Sequence, residues 1–115
     1  MTRDGSSVEE VALALRQMLA QCEHITAGGR DRFLADDLDA HILRLAAERL
    51  VITLQAAVED LPPGFVETHA DLPFATVRGM RKRLAHGDVD VNPEIVWETL
   101  SGRLPEFVRD VLQRL

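Results

Sequence analysis

The sequence predicts an all-α domain built as a bundle of five helices. Apolar residues recur at three- and four-residue intervals through most of the chain, which is the period of a half-buried helix. No stretch alternates apolar and polar residues for the length of a strand; Asp88-Val89-Asp90-Val91 does so too briefly to count. Gly28-Gly29, Pro62-Pro63-Gly64, His86-Gly87-Asp88 and Asn92-Pro93 fall between the periodic segments, where helices end or begin.

The first helix is expected to start at Ser6 and Ser7. Each is followed three residues later by a glutamate, so Ser6/Glu9 and Ser7/Glu10 form overlapping capping boxes. Val8, Val11, Ala12, Leu15, Met18, Leu19, Cys22 and Ile25 then make one apolar stripe that Gly28-Gly29 stops. Cys22 reads as a small buried hydrophobe, because no basic neighbour in sequence would lower its pKa. Arg30-Asp31-Arg32 reads as a polar connection. The cluster Asp36-Asp37-Leu38-Asp39 suits the positive end of a second helix that runs to about Leu61.

In that second helix Leu38, Ile42, Leu45, Ala46 and Arg49 mark one register, yet from Leu50 to Val58 only Thr53 and Gln55 break an apolar run. Such a helix is covered on more than one side, and in a chain this small a second copy can supply the cover. The alternative is a fully enclosed central helix. After Pro62-Pro63-Gly64, residues Phe65 to Ala70 allow a turn or two, and Pro73 opens a third helix. Phe74, Val77, Met80, Arg81 and Leu84 trace one of its strips, and Arg78, Lys82 and His86 another. Asn92-Pro93 reads as N-cap and first residue of a short helix ending near Gly102, and Leu104-Pro105 starts a final one. Ile95, Val96, Trp97, Leu100, Phe107, Val108, Val111, Leu112 and Leu115 are expected core contacts.

Composition fits one domain over residues 1–115. The apolar fraction is 46% and the net charge −6, too hydrophobic for a disordered chain. One cysteine excludes an internal disulfide and suits the cytoplasm, and no membrane span or secretion signal is read. The acidic balance argues against broad adhesion to nucleic acid and leaves room for a local basic patch. There is no phosphate-binding glycine loop, no HExxH helix and no calcium-loop pattern, so no metal or cofactor is expected.

The chemistry therefore rests on the histidines. His24 near the end of the first helix, His41 beside the apolar strip of the second and His69 in a turn have ordinary structural readings. His86 follows Arg78, Arg81, Lys82 and Arg83 within one segment. A basic helix ending in histidine can be a solvated face whose cations favour the helix C-terminus. Arg81-Lys82-Arg83-Leu84-Ala85-His86 is, however, an R-x4-H motif between a helix and a glycine turn. With Val77-Arg78-Gly79-Met80 before it and Ile95-Val96-Trp97-Glu98-Thr99-Leu100 and Leu104-Pro105 after it, the chain resembles the HepT-like branch of the HEPN superfamily, whose members pair with a minimal nucleotidyltransferase in toxin-antitoxin systems.

That resemblance implies a HEPN-like five-helix bundle with an antiparallel long helix pair, and a homodimeric, metal-independent endoribonuclease. Its motif arginine and histidine, here Arg81 and His86, would line a cleft between subunits. His86 would move a proton to or from the 2'-hydroxyl or the leaving oxygen, and Arg81 would stabilise the phosphorane. Five helical steps place the two about 140° apart and roughly 7.5 Å along the axis, so either the helix unwinds before His86 or two copies combine their residues. Arg78, Lys82 and Arg83 are the expected RNA-binding cations. The shortage of aromatics favours recognition of shape or phosphate over base stacking.

Three positions depart from the family pattern. Lys82 stands where relatives commonly have a polar Asn. Asp88 stands where many have the tyrosine that the partner can adenylylate, and with no Tyr in the chain that control is absent. Asp88 is read either as support for His86 or as a turn-forming side chain. Leu54-Gln55-Ala56 stands where many relatives read Gly-Glu-Ala. These departures favour a second reading, a catalytically degenerate interaction module that still binds a nucleotidyltransferase; a nucleotide-binding accessory subunit is a third.

Overall fold

A computed structural model describes residues 5–85 and 92–115, and every regular element among them is a helix. Two 22-residue helices, α1 (Gly5–Thr26) and α3 (Leu38–Glu59), form the antiparallel long pair. Each is about 33 Å long at the helical rise, which accounts for most of the 47 Å long dimension of the bundle. Packed with them are α5 (Phe74–Ala85), α6 (Pro93–Glu98) and α7 (Leu104–Arg114). The single-turn α2 (Arg30–Leu34) and α4 (Phe65–Thr68) occupy the two connections.

The ends follow local chemistry. Asp37 caps α3 by accepting from the Ala40 backbone N–H at 2.8 Å, and Asn92 caps α6 by accepting from Glu94 N–H at 2.8 Å, with Pro93 at the first position. Gly64 holds φ +83° in the turn after α3, a conformation that L side chains rarely adopt. α1 already includes Gly5, so Ser6 and Ser7 lie in its first turn rather than ahead of it, and the expected capping boxes do not mark its start.

Two expectations are corrected. The stretch read as a polar connection contains α2, whose Phe33 is fully buried against Trp97, ring centroids 5.4 Å apart. Five residues are too few to show a period, and this turn depends on tertiary partners. Arg44 of α3 supplies two of them by donating to the carbonyls of Phe33 and Ala35 at 2.8 and 3.0 Å. The second correction concerns Gly102 to Pro105. No break occurs there; α6 passes into α7 through a π-helical turn, Thr99–Arg103, in which the Leu104 N–H donates to the Thr99 carbonyl. The widened turn absorbs Pro105, which has no N–H to donate one turn back.

The core register of α3 comprises Ala40, Ala47, Leu50, Val51, Leu54 and Val58, facing Val11, Leu15, Met18 and Cys22 of α1 and Leu100, Leu104, Phe107 and Val108 of the last helices. The register Leu38, Ile42, Leu45 faces outward instead, with 73, 53 and 49% of these residues exposed. Ile95, expected in the core, is 40% exposed because it lies at the rim of a cleft rather than beneath it.

Candidate functional site

The site begins with the composition of α5. Its twelve residues, Phe-Ala-Thr-Val-Arg-Gly-Met-Arg-Lys-Arg-Leu-Ala, contain four cations and no carboxylate, although the whole chain has 19 Asp plus Glu. Phe74 is buried, and Val77, Met80 and Leu84 pack partly against the core, which fixes the rotation of the helix. At about 100° per residue, Arg78, Arg81 and Lys82 then share an arc of roughly 100° beside the buried strip. Arg83 lies about 100° beyond Lys82, so it does not join that group. All four are exposed.

None of the four takes part in an ion pair or side-chain hydrogen bond among the described residues. Other arginines do: Arg30 pairs with Glu94, Arg32 with Asp37 and Asp39, and Arg114 with Asp71. Hydrogen bonding from Arg114 holds the Asp71 carboxyl below its ordinary range. Among the described residues no carboxylate neutralises the cations of α5, so positive charge is gathered there on a protein whose net charge is negative.

His86 and Asp88 follow α5 directly and lie outside the described residues. The described chain resumes at Asn92, where the Arg30–Glu94 pair and the Phe33–Trp97 contact tie the first turns of α6 to α2. Sequence reading missed this brace together with α2.

The other side of α5 borders an apolar cleft of about 330 Å³ between α3, α5 and the α6–α7 helix, lined by Val51, Leu54, Val77, Met80, Ile95 and Phe107 among others. Met80 is about 160° around the helix from Arg78, whereas Arg81 is only about 40° from Val77, so Arg81 stands at the border between the basic face and the cleft. Cys22 is 1% exposed and donates its thiol proton to the Leu100 carbonyl at 2.7 Å; burial, reinforced by Glu23, pushes its pKa up to about 11. A thiol held protonated in this way is no nucleophile. His69 bonds the Phe65 carbonyl and stacks on the Phe65 ring, whereas His24 and His41 are exposed on α1 and α3. No group of three or more His, Cys, Asp or Glu side chains among the described residues is placed to hold a metal ion, and no described helix is long and apolar enough to cross a membrane.

No solved structure matches the chain. Among proteins of known sequence, one from Caldanaerobacter subterraneus subsp. tengcongensis, named as a candidate RNase, is 31% identical over 103 residues, covering 87% of this chain and 92% of its own length. Another from Methanocaldococcus jannaschii, also named as a candidate RNase, is 24% identical over 101 residues, covering 88% of this chain and 87% of its own. Residues 15–114 match the family described as ribonuclease HepT-like, a span that takes in the second half of α1, all of α3, the basic face of α5 and the π-turned α6–α7 helix. The chain belongs to the HepT-like ribonuclease family.

Proposed function

We propose that this protein is the toxin of a toxin-antitoxin pair, an endoribonuclease that works without a metal and uses Arg81 and His86 at a cleft between two subunits. One observation carries the reading beyond family membership. Four cations that no carboxylate among the described residues neutralises stand on α5, in an acidic chain, shortly before a histidine, the side chain suited to proton transfer near neutral pH. RNA supplies both what the cations attract and the 2'-hydroxyl that makes the cleavage internal.

Arg78 and Lys82 draw the phosphate backbone onto the helix, and Arg83, turned aside, adds long-range attraction rather than a shared contact. Arg81 lies nearest the buried strip. Its guanidinium spans two oxygens of the scissile phosphate and offsets the charge that grows on the phosphorane. His86 takes the proton of the 2'-hydroxyl or delivers one to the departing 5'-oxygen; one imidazole in each of two protonation states would divide these tasks in a dimer. Asp88 is assigned support of that imidazole. The products are a 2',3'-cyclic phosphate and a free 5'-hydroxyl. A minimal nucleotidyltransferase is the proposed antitoxin, acting here by covering the site, since no tyrosine is present to modify.

The test is incubation of the purified chain with RNA in EDTA. The expected outcome is cleavage that leaves 2',3'-cyclic phosphate ends and is abolished by His86→Ala and by Arg81→Ala. RNA left intact by the wild-type chain rejects the nuclease and leaves the partner-binding module standing.

A further inference from the structure

We infer that the apolar cleft beside α5 is a base-binding subsite that takes the guanine of a nucleotide next to the scissile phosphate, so that the chain reads one position of the RNA sequence. The inference deepens the proposed nuclease and rests on that reading for its substrate. The cleft itself belongs to the fold.

The cleft has the make-up of a small-ligand site. Its volume is about 330 Å³, and its walls are mostly apolar with a few polar groups at the rim. Val51 and Leu54 of α3, both buried, form the floor. Val77 and Met80 of α5 stand on one side, and Ile95 and Phe107 of the α6–α7 helix on the other. A flat aromatic ring can enter between such walls, and a methionine thioether packs well against it.

Position ties the cleft to the RNA. Arg81, assigned to the scissile phosphate, lies one turn beyond Val77, about 6 Å along α5 and about 40° around it. A phosphate held there leaves the base of the adjoining nucleotide beside the cleft.

The rim selects which base. Arg103 and Glu106 both line the cleft, and both are exposed. Three residues apart on one helix, they are surface neighbours, with the cation first, which is the less favourable order for pairing with each other. Neither takes part in an ion pair or side-chain hydrogen bond among the described residues. Asp110, the other carboxylate of the rim, lies one turn farther on and interacts with Arg114.

A guanidinium beside a carboxylate matches two adjacent edges of guanine. N7 and O6 accept from the guanidinium, and N1–H and the 2-amino group both donate to the carboxylate. Adenine and cytosine put an acceptor nitrogen next to their one amino donor, and uracil has a single N–H between two acceptors. Each of these three sets an acceptor against a carboxylate oxygen. The basic face of α5 thus holds phosphate without regard to sequence, and the cleft adds one base.

The experiment uses the full chain carrying His86→Ala, so that RNA is bound and not cut. Fluorescence anisotropy compares a uridine octamer with the same octamer carrying one central guanosine. The guanosine oligomer is expected to bind about tenfold more tightly, and inosine in that place, without the 2-amino group, to lose most of the gain. Glu106→Ala is expected to bring the preference below about twofold while the all-uridine octamer binds no more weakly, because a negative charge has left the path of an anion. Misfolding would instead weaken both oligomers. With methyl-labelled methionine, the Met80 signal is expected to shift with the guanosine oligomer far more than with the uridine octamer, whereas Met18, buried in the core, stays in place.

Equal affinity for the two oligomers, a guanosine preference that survives Glu106→Ala, or a Met80 signal as still as that of Met18 would overturn the inference. Cleavage by the chain with His86 intact is read in parallel in EDTA and is expected at phosphates next to guanosine. Cutting that ignores sequence overturns the subsite and keeps the nuclease; a guanosine preference in binding with no cutting rejects the nuclease and keeps the subsite.

Discussion

At the scale of single residues, two buried polar groups are handled in opposite ways. Pro105 removes a donor from the last helix, and the Leu100 carbonyl beside the π turn takes its proton from Cys22 instead. Cys22→Ala leaves that oxygen without its donor and empties the volume of the sulfur, so a loss of about 1–3 kcal/mol is expected in urea unfolding, with a smaller loss for Cys22→Ser, which keeps a donor. The thiol also predicts a pH dependence. Its folded pKa is raised from 9.0 to about 11, so its contribution is fully present below about pH 9 and is lost as pH rises toward 11, because the unfolded chain releases the proton first. The stability difference between wild type and Cys22→Ala should shrink over that window. Gln55 is the contrary case. It is 4% exposed, its Oε1 has no partner among the described residues, and its Nε2 reaches Glu59 only at 3.4 Å. Gln55→Leu, of similar volume, is therefore expected to be neutral or to stabilise by up to about 1 kcal/mol, because an unsatisfied oxygen is removed from the interior. Gln55→Glu would bury a charge one helical turn from Glu59 and should cost about 3 kcal/mol at pH 7, less as pH falls and the carboxyl protonates.

Elements differ in how far the sequence reveals them, and the reason is the source of their stability. α1, α3 and α5 are readable because each carries its own apolar stripe for three turns or more, and the caps Asp37 and Asn92 act locally. α2 is not readable, since Phe33, Arg44 and Trp97 create it from three distant parts of the chain. The last helix does begin at Leu104-Pro105 as the sequence reads, but its continuity with α6 is hidden for a related reason: proline normally marks a boundary, and only a carbonyl acceptor rearranged by one residue lets the helix pass it. Leu38, Ile42 and Leu45 show the remaining limit, for a period identifies an apolar face without saying whether this copy or another covers it. On α5 the sequence puts Arg81 on the strip of Phe74, Val77, Met80 and Leu84 and puts Arg78 and Lys82 on another, and it takes the rotation fixed by the buried Phe74 and half-buried Val77 to join the three cations in one exposed arc and set Arg83 apart. Gly79 offers a test within this element. It lies inside the helix without a positive φ, and an added Cβ there would meet nothing within 4 Å. Gly79→Ala is expected to stabilise the protein by about 0.5–1 kcal/mol through the lower entropy of the unfolded chain, seen as a higher midpoint in thermal unfolding. A loss of stability would mean that α5 is not helical at this point.

For the whole molecule, the governing quantity is how charge is distributed rather than its sum. Nineteen carboxylates against thirteen cations give −6, and four of those cations are gathered on twelve residues without a carboxylate. A polyanion approaching at random meets repulsion over most of the surface and attraction at α5, so the net charge works as a filter that confines binding to one face. Salt separates this arrangement from diffuse adhesion. For single-stranded RNA each neutralised phosphate contributes about 0.7 to the slope of log K against log salt. On the proposed reading, in which Arg78 and Lys82 meet phosphate rather than bases, replacing both by alanine should reduce the slope by about 1.4 and weaken binding of unrelated RNA sequences alike. Arg83→Ala, which removes a cation from outside the shared arc, should change the slope by less than either of the other two. Fluorescence anisotropy of a labelled RNA titrated at several salt concentrations measures all three, with His86→Ala as the background so that cleavage does not intrude. If Arg83→Ala reduces the slope as much as Arg78→Ala does, the face defined by the rotation of α5 is not the one that RNA meets, and attraction arises from the helix end as a whole.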